Sequence, residues 1–551
     1  MKTIAWISLL LLLGAFLARP ISDPDIWWHI NVGRWIMAHG EVPYVDYWNR
    51  FAVGTPWRAY SWSNELVYAL ADRLYGVVGL GMLQLFLAIF FALVAHVSFS
   101  FMAGSYFFGA LLTTVSVAAC RGHFSLRPQT TVWILFILAL CSAEICKRRG
   151  PRAKYLIFTF ILGVIWANSH LSAIIGAVTL FLWTLDSPNS RPKSLLSLKL
   201  AVAFLLGTLL TPYFGGEWMT LFSKSGHIFT FSAIDEFNPA NITQASTAVV
   251  LFQIVVVLVL AFSSGRLPRM GAISVVVLTL LLGGITVKFL PFAALSLSAL
   301  TALWVYEELA LGKHDERNHL LRGLLQARNW TRSLQPQTLG ACAFFISSLA
   351  FANSVKAINN PVAYSKTPRR AVDFFEEKSL SHPVLNEFES GGYMQYRWSS
   401  ANGEPRALVA IDGRTNVNRP DIWSDYRNAF TGREEWRGYF DKVNPRTVIW
   451  RKGSPLTALL VEDPEWCRVF DAGSNPSGYG VFITRDEFMN RPGVFESSDC
   501  EIKGGSVYDA KATKSSGCKD LCGDGQCQEI VCMAVGCPCP ESPASCPQDC
   551  K

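Results

Sequence analysis

Long apolar runs alternate with short polar stretches along the chain as far as Val355, and then they stop. With its flanks, each run is long enough to cross about 30 Å of hydrocarbon as a helix. We predict eleven membrane spans, at Ile4–Ala18, Val77–Phe99, Phe101–Ala119, Thr130–Ile145, Tyr155–Asn168, Leu171–Leu185, Leu195–Leu210, Thr247–Phe262, Met270–Val287, Pro291–Leu309 and Leu339–Val355. The remaining residues alternate short apolar and polar groups, which indicates a folded region outside the bilayer.

The composition supports a polytopic α-helical membrane protein surrounded by membrane lipids. Hydrophobic residues make up 51% of the chain and charged residues 17%, whereas a soluble protein carries about 25% charged residues. The net charge of +7 is explained by basic loop anchors. No basic stripe with interleaved aromatic residues is present, so we expect no nucleic-acid partner.

Lysine and arginine placement predicts the orientation in the inner (cytoplasmic) membrane. Basic connections tend to stay in the cytoplasm, and with the N-terminus inside, four of them lie there: Lys147–Lys154, Arg191–Lys193, Gly265–Arg269 and Lys313–Arg332. An odd number of spans then places the C-terminal region outside. The first span has no clear cleavage site, so we interpret it as a retained helix rather than a signal peptide.

The cysteines support the same orientation. Dense cysteines in a short segment indicate a disulfide framework, which forms in an oxidising compartment. Eight of them lie close together at the C-terminus, while Cys467 and Cys500 lie upstream. The eight are Cys518, Cys522, Cys527, Cys532, Cys537, Cys539, Cys546 and Cys550.

We predict four zones: a membrane domain over residues 1–355 with a long first outer loop at 19–76, an extracytoplasmic α/β domain at 356–487, a linker at 488–517 and a cysteine-rich module at 518–551. In the α/β domain the predicted helices are Thr367–Glu377, Glu434–Val443 and Leu456–Val461. The predicted strands are Pro383–Asn386, Ala407–Ile411, Thr447–Trp450, Cys467–Asp471 and Tyr479–Thr484. The segment Ile411–Asn416 follows a strand, so it is either a ligand loop or, as we favour, a turn in which Asp412 and Arg414 pair.

Candidate catalytic residues lie directly after the first span, in the stretch Ser22–Trp35. Asp25 and Asp23 are carboxylates at a membrane edge. Either could act as general base on an acceptor hydroxyl, or bind Mg or Mn that neutralises a phosphate leaving group. Two alternatives stay open. The loop could be an aromatic interfacial helix lying flat on the bilayer, and Asp23 could be the N-cap of a helix that starts at Pro24, which makes Asp25 the better catalytic candidate.

Other polar and aromatic residues are predicted on the same face. Arginine and lysine suit phosphate oxygens, although snorkelling to lipid headgroups explains them individually. The candidate substrate-binding residues are Trp27, His29, Trp57, Arg121, His123, Arg127, Asn168, His170 and Lys288.

Several motifs resemble the GT-C superfamily of integral-membrane glycosyltransferases, in a bacterial branch with a DPDxWWH loop after the first span. They are DPDIWWHINVGRWI, SWSNELVYAL, LRPQ, WANSH, LTPYFG, NEFESGGY and IDGRTN, and the resemblance covers residues 1–486. It implies a polyprenyl-phosphate sugar donor and an essential acidic residue in the first outer loop, here Asp23 or Asp25. Related chains often have His-Gly after the WAN triplet and Arg near the position of Lys288, so this chain departs from that pattern.

The C-terminal module resembles short cysteine-rich repeats on secreted microbial proteins, whose acidic positions suggest calcium. The corresponding oxygen donors here are Asp524, Glu541 and Asp549. Zinc bound by Cys537 and Cys539 is the alternative, which an exterior location disfavours. We expect the module to serve in interaction or anchoring.

These features predict an enzyme that transfers a sugar from a polyprenyl-phosphate donor to a glycan, lipid or protein acceptor on the outer face. Two other classes of function stay open. A non-catalytic envelope assembly protein would tolerate replacement of Asp23 and Asp25, and a transporter or flippase would carry ionisable residues at mid-bilayer depth.

Overall fold

The computed structural model describes residues 2–185, 194–216, 218–219, 238–264, 269–311, 319–333, 335–364, 367–473, 478–496, 500, 522–523, 525–527 and 546–550. The chain divides into two compact units, Met1–Cys500 and Glu501–Lys551. The first unit contains both the apolar helices and the polar α/β region.

Helices dominate the first unit up to residue 359. They are α1 (Lys2–Leu17), α2 (Asp25–His39), α3 (Trp62–Ala103), α4 (Tyr106–Cys120), α5 (Pro128–Arg149), α6 (Ala153–Ser169), α7 (Ala173–Thr184), α8 (Ser194–Thr208), α9 (Ala245–Ser264), α10 (Met270–Ile285), α11 (Leu290–Leu311), α12 (His319–Ser333) and α13 (Pro336–Asn359). Within the described residues, five helices are long and apolar enough to cross a membrane and six shorter ones are also apolar. Each of the eleven predicted spans coincides with one of them, which confirms a polytopic helical membrane protein.

Helix α3 begins earlier than the second predicted span. It starts at Trp62, inside the predicted first outer loop, and continues through a kink at Tyr75 and Gly76. Gly76 has φ +56°, a conformation in which glycine carries no steric penalty. The polar segment from Trp62 to the kink is therefore helical and extends the membrane span at its N-terminal end.

Helix α2 is a buried helix, which contradicts the alternative of a flat interfacial helix. Trp27, Trp28 and Trp35, which that alternative needs at the lipid surface, are 2–4% exposed. The helix crosses α3 closely, because a Cβ built on Gly33 would lie 2.0 Å from the backbone oxygen of Glu65. These aromatic side chains pack against other parts of the protein and not against lipid headgroups, which explains the aromatic content of this loop.

The α/β region is built on one four-stranded sheet with strand order β1-β2-β4-β3. Its strands are β1 (Val384–Asn386), β2 (Thr447–Arg451), β3 (Trp466–Asp471) and β4 (Tyr479–Thr484). Strand β1 is parallel to β2, and the other two pairings are antiparallel. Four of the five predicted strands are thus confirmed.

The strand predicted at Ala407–Ile411 is wrong. Its last three residues, Val409–Ile411, are buried whereas Leu408 is exposed, and the hydrogen bonds of the segment do not join the sheet. The side chain of Asn386 bonds the backbone of Ala410 and Ile411, and Val409 forms an isolated bridge with Asn49 of the first outer loop. An apolar run of this length indicates burial without specifying which backbone it pairs with.

Six helices surround the sheet: α14 (Arg369–Glu377), α15 (Phe388–Arg397), α16 (Pro420–Thr431), α17 (Arg437–Val443), α18 (Pro455–Glu462) and α19 (Arg485–Met489). Helices α14, α17 and α18 match the predicted ones, with a 3-10 turn at Glu434–Trp436 before α17. Helices α15, α16 and α19 are additional. The layer fold that was predicted for residues 356–487 is confirmed as α/β.

Disulfides occur in both units. Cys467 in β3 is bonded to Cys500 in the first unit. In the second unit Cys522 is bonded to Cys546 and Cys527 to Cys550, as expected of a small disulfide-rich module. Cys518, Cys532, Cys537 and Cys539, together with Asp524, Glu541 and most of the predicted linker, lie outside the described residues.

Candidate active site

Asp23 and Asp25 form the start of α2. Asp23 Oδ1 accepts a hydrogen bond of 3.0 Å from the backbone N–H of Asp25, the first helical residue, and Pro24 stands before it. The first N–H groups of a helix have no partner within the helix, so this bond stabilises the helix start. The sequence allowed Asp23 to be the N-cap of a helix that starts at Pro24, but the helix begins at Asp25 with Pro24 as its N-cap. Asp23 stands one residue further out and supports the helix start through this bond.

Arg127 holds both aspartates. It precedes Pro128, the first residue of α5, in extended backbone conformation, as expected before proline. Its Nη2 donates to Asp23 Oδ1 at 2.8 Å and to Asp25 Oδ2 at 3.1 Å, and its Nε also contacts Asp23. The side chains of Asp23, Arg127 and Asp25 are 7%, 14% and 25% exposed. Asp25 is therefore the more accessible carboxylate.

One helical turn beyond Asp25, His29 pairs with Glu65 of α3. His29 Nδ1 lies 3.1 Å from Glu65 Oε1, which also accepts a bond of 2.8 Å from Ser61. Both side chains are buried. Burial lowers the pKa of His29, against the opposing attraction of Glu65. His29, predicted to contact substrate, thus lies beneath Asp25 in the packed interior.

The loop Asp412–Arg414 lies against this site. Arg414 bonds Asp412 (Nη2–Oδ2 2.7 Å) and Asp46 of the first outer loop (Nη1–Oδ2 2.5 Å), and all three side chains are buried. The favoured interpretation of this segment, a turn with Asp412 and Arg414 paired, agrees with these contacts. A Cβ built on Gly413 would meet Asp25 Oδ1 at 2.1 Å, so the turn also borders the aspartate.

The two tryptophans among the candidate substrate-binding residues, Trp27 and Trp57, are covered by protein. Trp57 is 4% exposed, with the Arg414 guanidinium 4.9 Å from its ring centre. Trp27 packs against Tyr393 and Tyr396 with ring centres about 5 Å apart. Both rings therefore serve the packing of the outer loop in this structure, and we leave them out of the proposed substrate site.

Asn168 and His170, at the end of α6, join neighbouring helix ends. Asn168 Oδ1 accepts from the indole of Trp62 at 2.7 Å, and its amide donates to two backbone carbonyls. His170 bonds Ser172 at 2.9 Å, and its ring centre lies 6.4 Å from that of Tyr60. Asn168 is thus a structural link between helices, while half-buried His170 stays a candidate for the site.

The remaining candidates have separate surroundings. Arg121 is exposed, donates to the carbonyl of Phe16 at 3.2 Å and lies over its ring. His123 bonds Ser246 at 3.2 Å, and Lys288 lies half-buried in the 3-10 turn Val287–Phe289. Of the three predicted phosphate-binding cations, Arg127 contacts both aspartates.

The aspartates as arranged do not fit the predicted Mg or Mn. A guanidinium cation stands within hydrogen-bond distance of both carboxylates, and a second cation at the same oxygens would be repelled by it. We derive no step through a metal here.

In the second unit, Asp549 lies with Cys522 and Cys546, the ligand atoms being within 4.8 Å of one another. The two sulfur atoms are bonded to each other, so they offer no thiolate ligands, and Asp549 accepts backbone N–H groups of Gly523 and Gly525. Calcium at this position stays a prediction.

Sequence reasoning missed Glu65, Asp46 and Gly413. Glu65 lies within SWSNELVYAL, where a carboxylate directly before an apolar run was an available indication. Gly413 lies within the quoted IDGRTN segment, but neither it nor Asp46 could be linked to its partner, because the partners are remote in sequence.

No protein-family model matches the chain, and a comparison with curated proteins finds no match. Among solved structures, an oligosaccharyltransferase from Archaeoglobus fulgidus tethered with an acceptor peptide is 10% identical, with 81% of this chain and 68% of that chain covered at a TM-score of 0.49. ArnT from Cupriavidus metallidurans bound to undecaprenyl phosphate is 12% identical, with 90% and 98% covered at a TM-score of 0.48. Both scores lie below 0.5, so the fold class rests on this chain's own helices.

Proposed function

We propose that this protein is a membrane glycosyltransferase of the GT-C type, which moves a sugar from a polyprenyl-phosphate donor to an acceptor on the extracytoplasmic face. The observation that supports this most is the Asp23–Arg127–Asp25 cluster at the start of α2. Asp25 keeps a quarter of its side chain exposed there, next to the first membrane helix.

The proposed chemistry assigns a separate task to each aspartate. Asp25 accepts the proton of an acceptor hydroxyl, whose oxygen attacks the anomeric carbon as the bond from that carbon to the phosphate oxygen breaks. The polyprenyl phosphate leaves with the bonding electrons. Asp23 accepts the backbone N–H of Asp25 at the start of α2 and, through Arg127, fixes the orientation of the Asp25 side chain.

Arg127 is reassigned in this proposal. The sequence placed it on the phosphate with Arg121 and Lys288, but its guanidinium contacts the two carboxylates. We therefore propose Arg121 and Lys288 as the cations that meet the donor phosphate, with His123 and His170 at the same edge. An arginine that joins two like charges offsets their mutual repulsion.

The test is donor consumption by the purified full-length protein in nanodiscs. It receives tritium-labelled polyprenyl phosphates bearing glucose, mannose, galactose or arabinose, with envelope extract as the source of acceptors. We expect release of polyprenyl phosphate from at least one donor with wild type and none with Asp25→Asn. Consumption of no donor would favour an envelope assembly protein. Movement of intact donor across the bilayer, measured with the same protein in sealed proteoliposomes, would favour a flippase.

A further inference from the structure

We propose that Gly413, in the outer α/β region, is a positioning residue that sets the orientation of the Asp25 carboxylate. Its catalytic consequence rests on the proposed function, whereas the contact itself does not. Gly413 belongs to the turn for which the sequence favoured a purely structural role.

The contact assigns each oxygen of Asp25 to a different neighbour. Oδ2 faces Arg127 Nη2 at 3.1 Å. A Cβ built on Gly413 would lie 2.1 Å from Oδ1 and 3.3 Å from the indole nitrogen of Trp28. A separation of 2.1 Å is far inside van der Waals contact, so no side chain fits at position 413 while Asp25 keeps this orientation.

Position 413 requires glycine because of the space available there and not because of its backbone conformation. Gly413 is not among the glycines with positive φ, so alanine meets no conformational penalty from the backbone. A substitution there consequently reports on the contact with Asp25.

The loop around Gly413 is held so firmly that Asp25 is the partner that must move. Arg414 is bonded to Asp412 and to Asp46 in a buried set of charges, and its guanidinium lies over the rings of Trp48 and Trp57. Breaking a buried charge set is strongly unfavourable. The Asp25 side chain is a quarter exposed, and rotation about its Cα–Cβ and Cβ–Cγ bonds can move the carboxylate.

Other glycines show the same close approach of this region to α2. A Cβ on Gly392 would lie 3.1 Å from the carbonyl oxygen of Pro24, and one on Gly403 would lie 2.6 Å from that of Asn31. Helix α2 is therefore seated against the outer region along its length, and Gly413 is the contact that reaches the functional carboxylate.

Gly413→Ala and a matched control, Gly438→Ala, test the proposal in the full-length protein. A Cβ on Gly438, in the same region, meets Asp425 at an ordinary 3.6 Å. With the labelled donor that wild type consumes, we expect kcat of Gly413→Ala to fall by about a hundredfold with little change in KM, as displacement of a reacting group by about 1 Å produces. Gly438→Ala should match wild type, and a kcat for Gly413→Ala equal to that of Gly438→Ala would overturn the proposal.

A second measurement needs no transfer activity. The melting temperature is recorded for Gly413→Ala in the wild-type background and in the Asp25→Ala background. We expect Gly413→Ala to lower the melting temperature clearly in the wild-type background. In the Asp25→Ala background the decrease should be smaller, because the carboxylate that would clash with the new Cβ is absent. An equal decrease in melting temperature in both backgrounds would reject the contact between Gly413 and Asp25. If wild type consumes no donor while the losses differ, the proposed function fails and the positioning contact stands.

Discussion

Arg127 Nη2 lies 3.1 Å from Asp25 Oδ2, across 102 residues of sequence. This hydrogen bond ties the start of α5 to the start of α2, so the segment after the first span and the segment before the fourth apolar helix form one site. The same guanidinium contacts Asp23, which makes it the cation on which both carboxylates depend.

Arg127→Lys should fold and lose most of its transfer activity. A single ammonium group cannot reproduce the planar fork that reaches two carboxylates. Arg127→Gln should in addition lower the free energy of unfolding by about 3 kcal/mol, because Asp23 is left buried without a charged partner. Thermal melts and donor consumption check this, with exposed Arg121→Gln as the stability control. Unchanged melting and transfer in Arg127→Gln would show that the cluster is dispensable.

Chelation should leave transfer unchanged. Arg127 stands where a divalent cation would bind the aspartates, so the proposed step uses Asp25 as a base and no metal. We expect equal donor consumption by wild type before and after EDTA treatment. Loss of consumption in EDTA, restored by Mn or Mg, would mean that Arg127 leaves the aspartates during the reaction.

Glu387, at the start of α15, should make folding pH-dependent. Burial raises its pKa from 4.5 to about 7, partly offset by Arg451. The folded state thus binds this proton more tightly than the unfolded state. Its contribution, about 3 kcal/mol, is fully present below pH 4.5 and is lost as the pH rises through 7.

The comparison with Glu387→Gln isolates that contribution, because the other titrating groups are common to both proteins. Between pH 5 and 8, the melting temperature of wild type should fall relative to that of the variant. Parallel curves would place the Glu387 pKa near its ordinary value.

Gly33→Ala should destabilise the packing of α2 on α3. Its Cβ would meet backbone atoms of Glu65 at 2.0 and 2.5 Å, and backbone cannot move aside as a side chain can. We expect a loss of about 1–3 kcal/mol, as for other overpacked sites. Gly284→Ala, where nothing lies within 4 Å, serves as the control for helix propensity. Equal melting of the two variants would argue against this close crossing.

The membrane helices could be predicted from sequence because the bilayer imposes a local rule, a long apolar run. The sheet was predicted less completely. Ala407–Ile411 has the apolar character of a strand, but its partners are the side chain of Asn386 and the backbone around Asn49, and neither follows from the segment itself.

The candidate site shows the same limit. Sequence placed several cations at one membrane edge, and Arg127 indeed contacts Asp25. Which cation does so depends on the turn between α4 and α5, which directs Arg121 to Phe16 instead. The Gly413 contact could not be found at all, since glycine in a turn has many causes and its partner, Asp25, is remote in sequence.

The most direct test of the central claim is the single-turnover rate of sugar transfer by Asp25→Asn compared with Asp421→Asn. Asp421 is an exposed carboxylate paired with Arg419 and Lys442, so its replacement controls for loss of one negative charge. If Asp25 is the general base, its amide variant should transfer at least about a hundredfold more slowly than Asp421→Asn. Equal rates in the two variants would contradict the assignment of Asp25 as the general base and the hypothesis that the Asp23–Arg127–Asp25 cluster is catalytic.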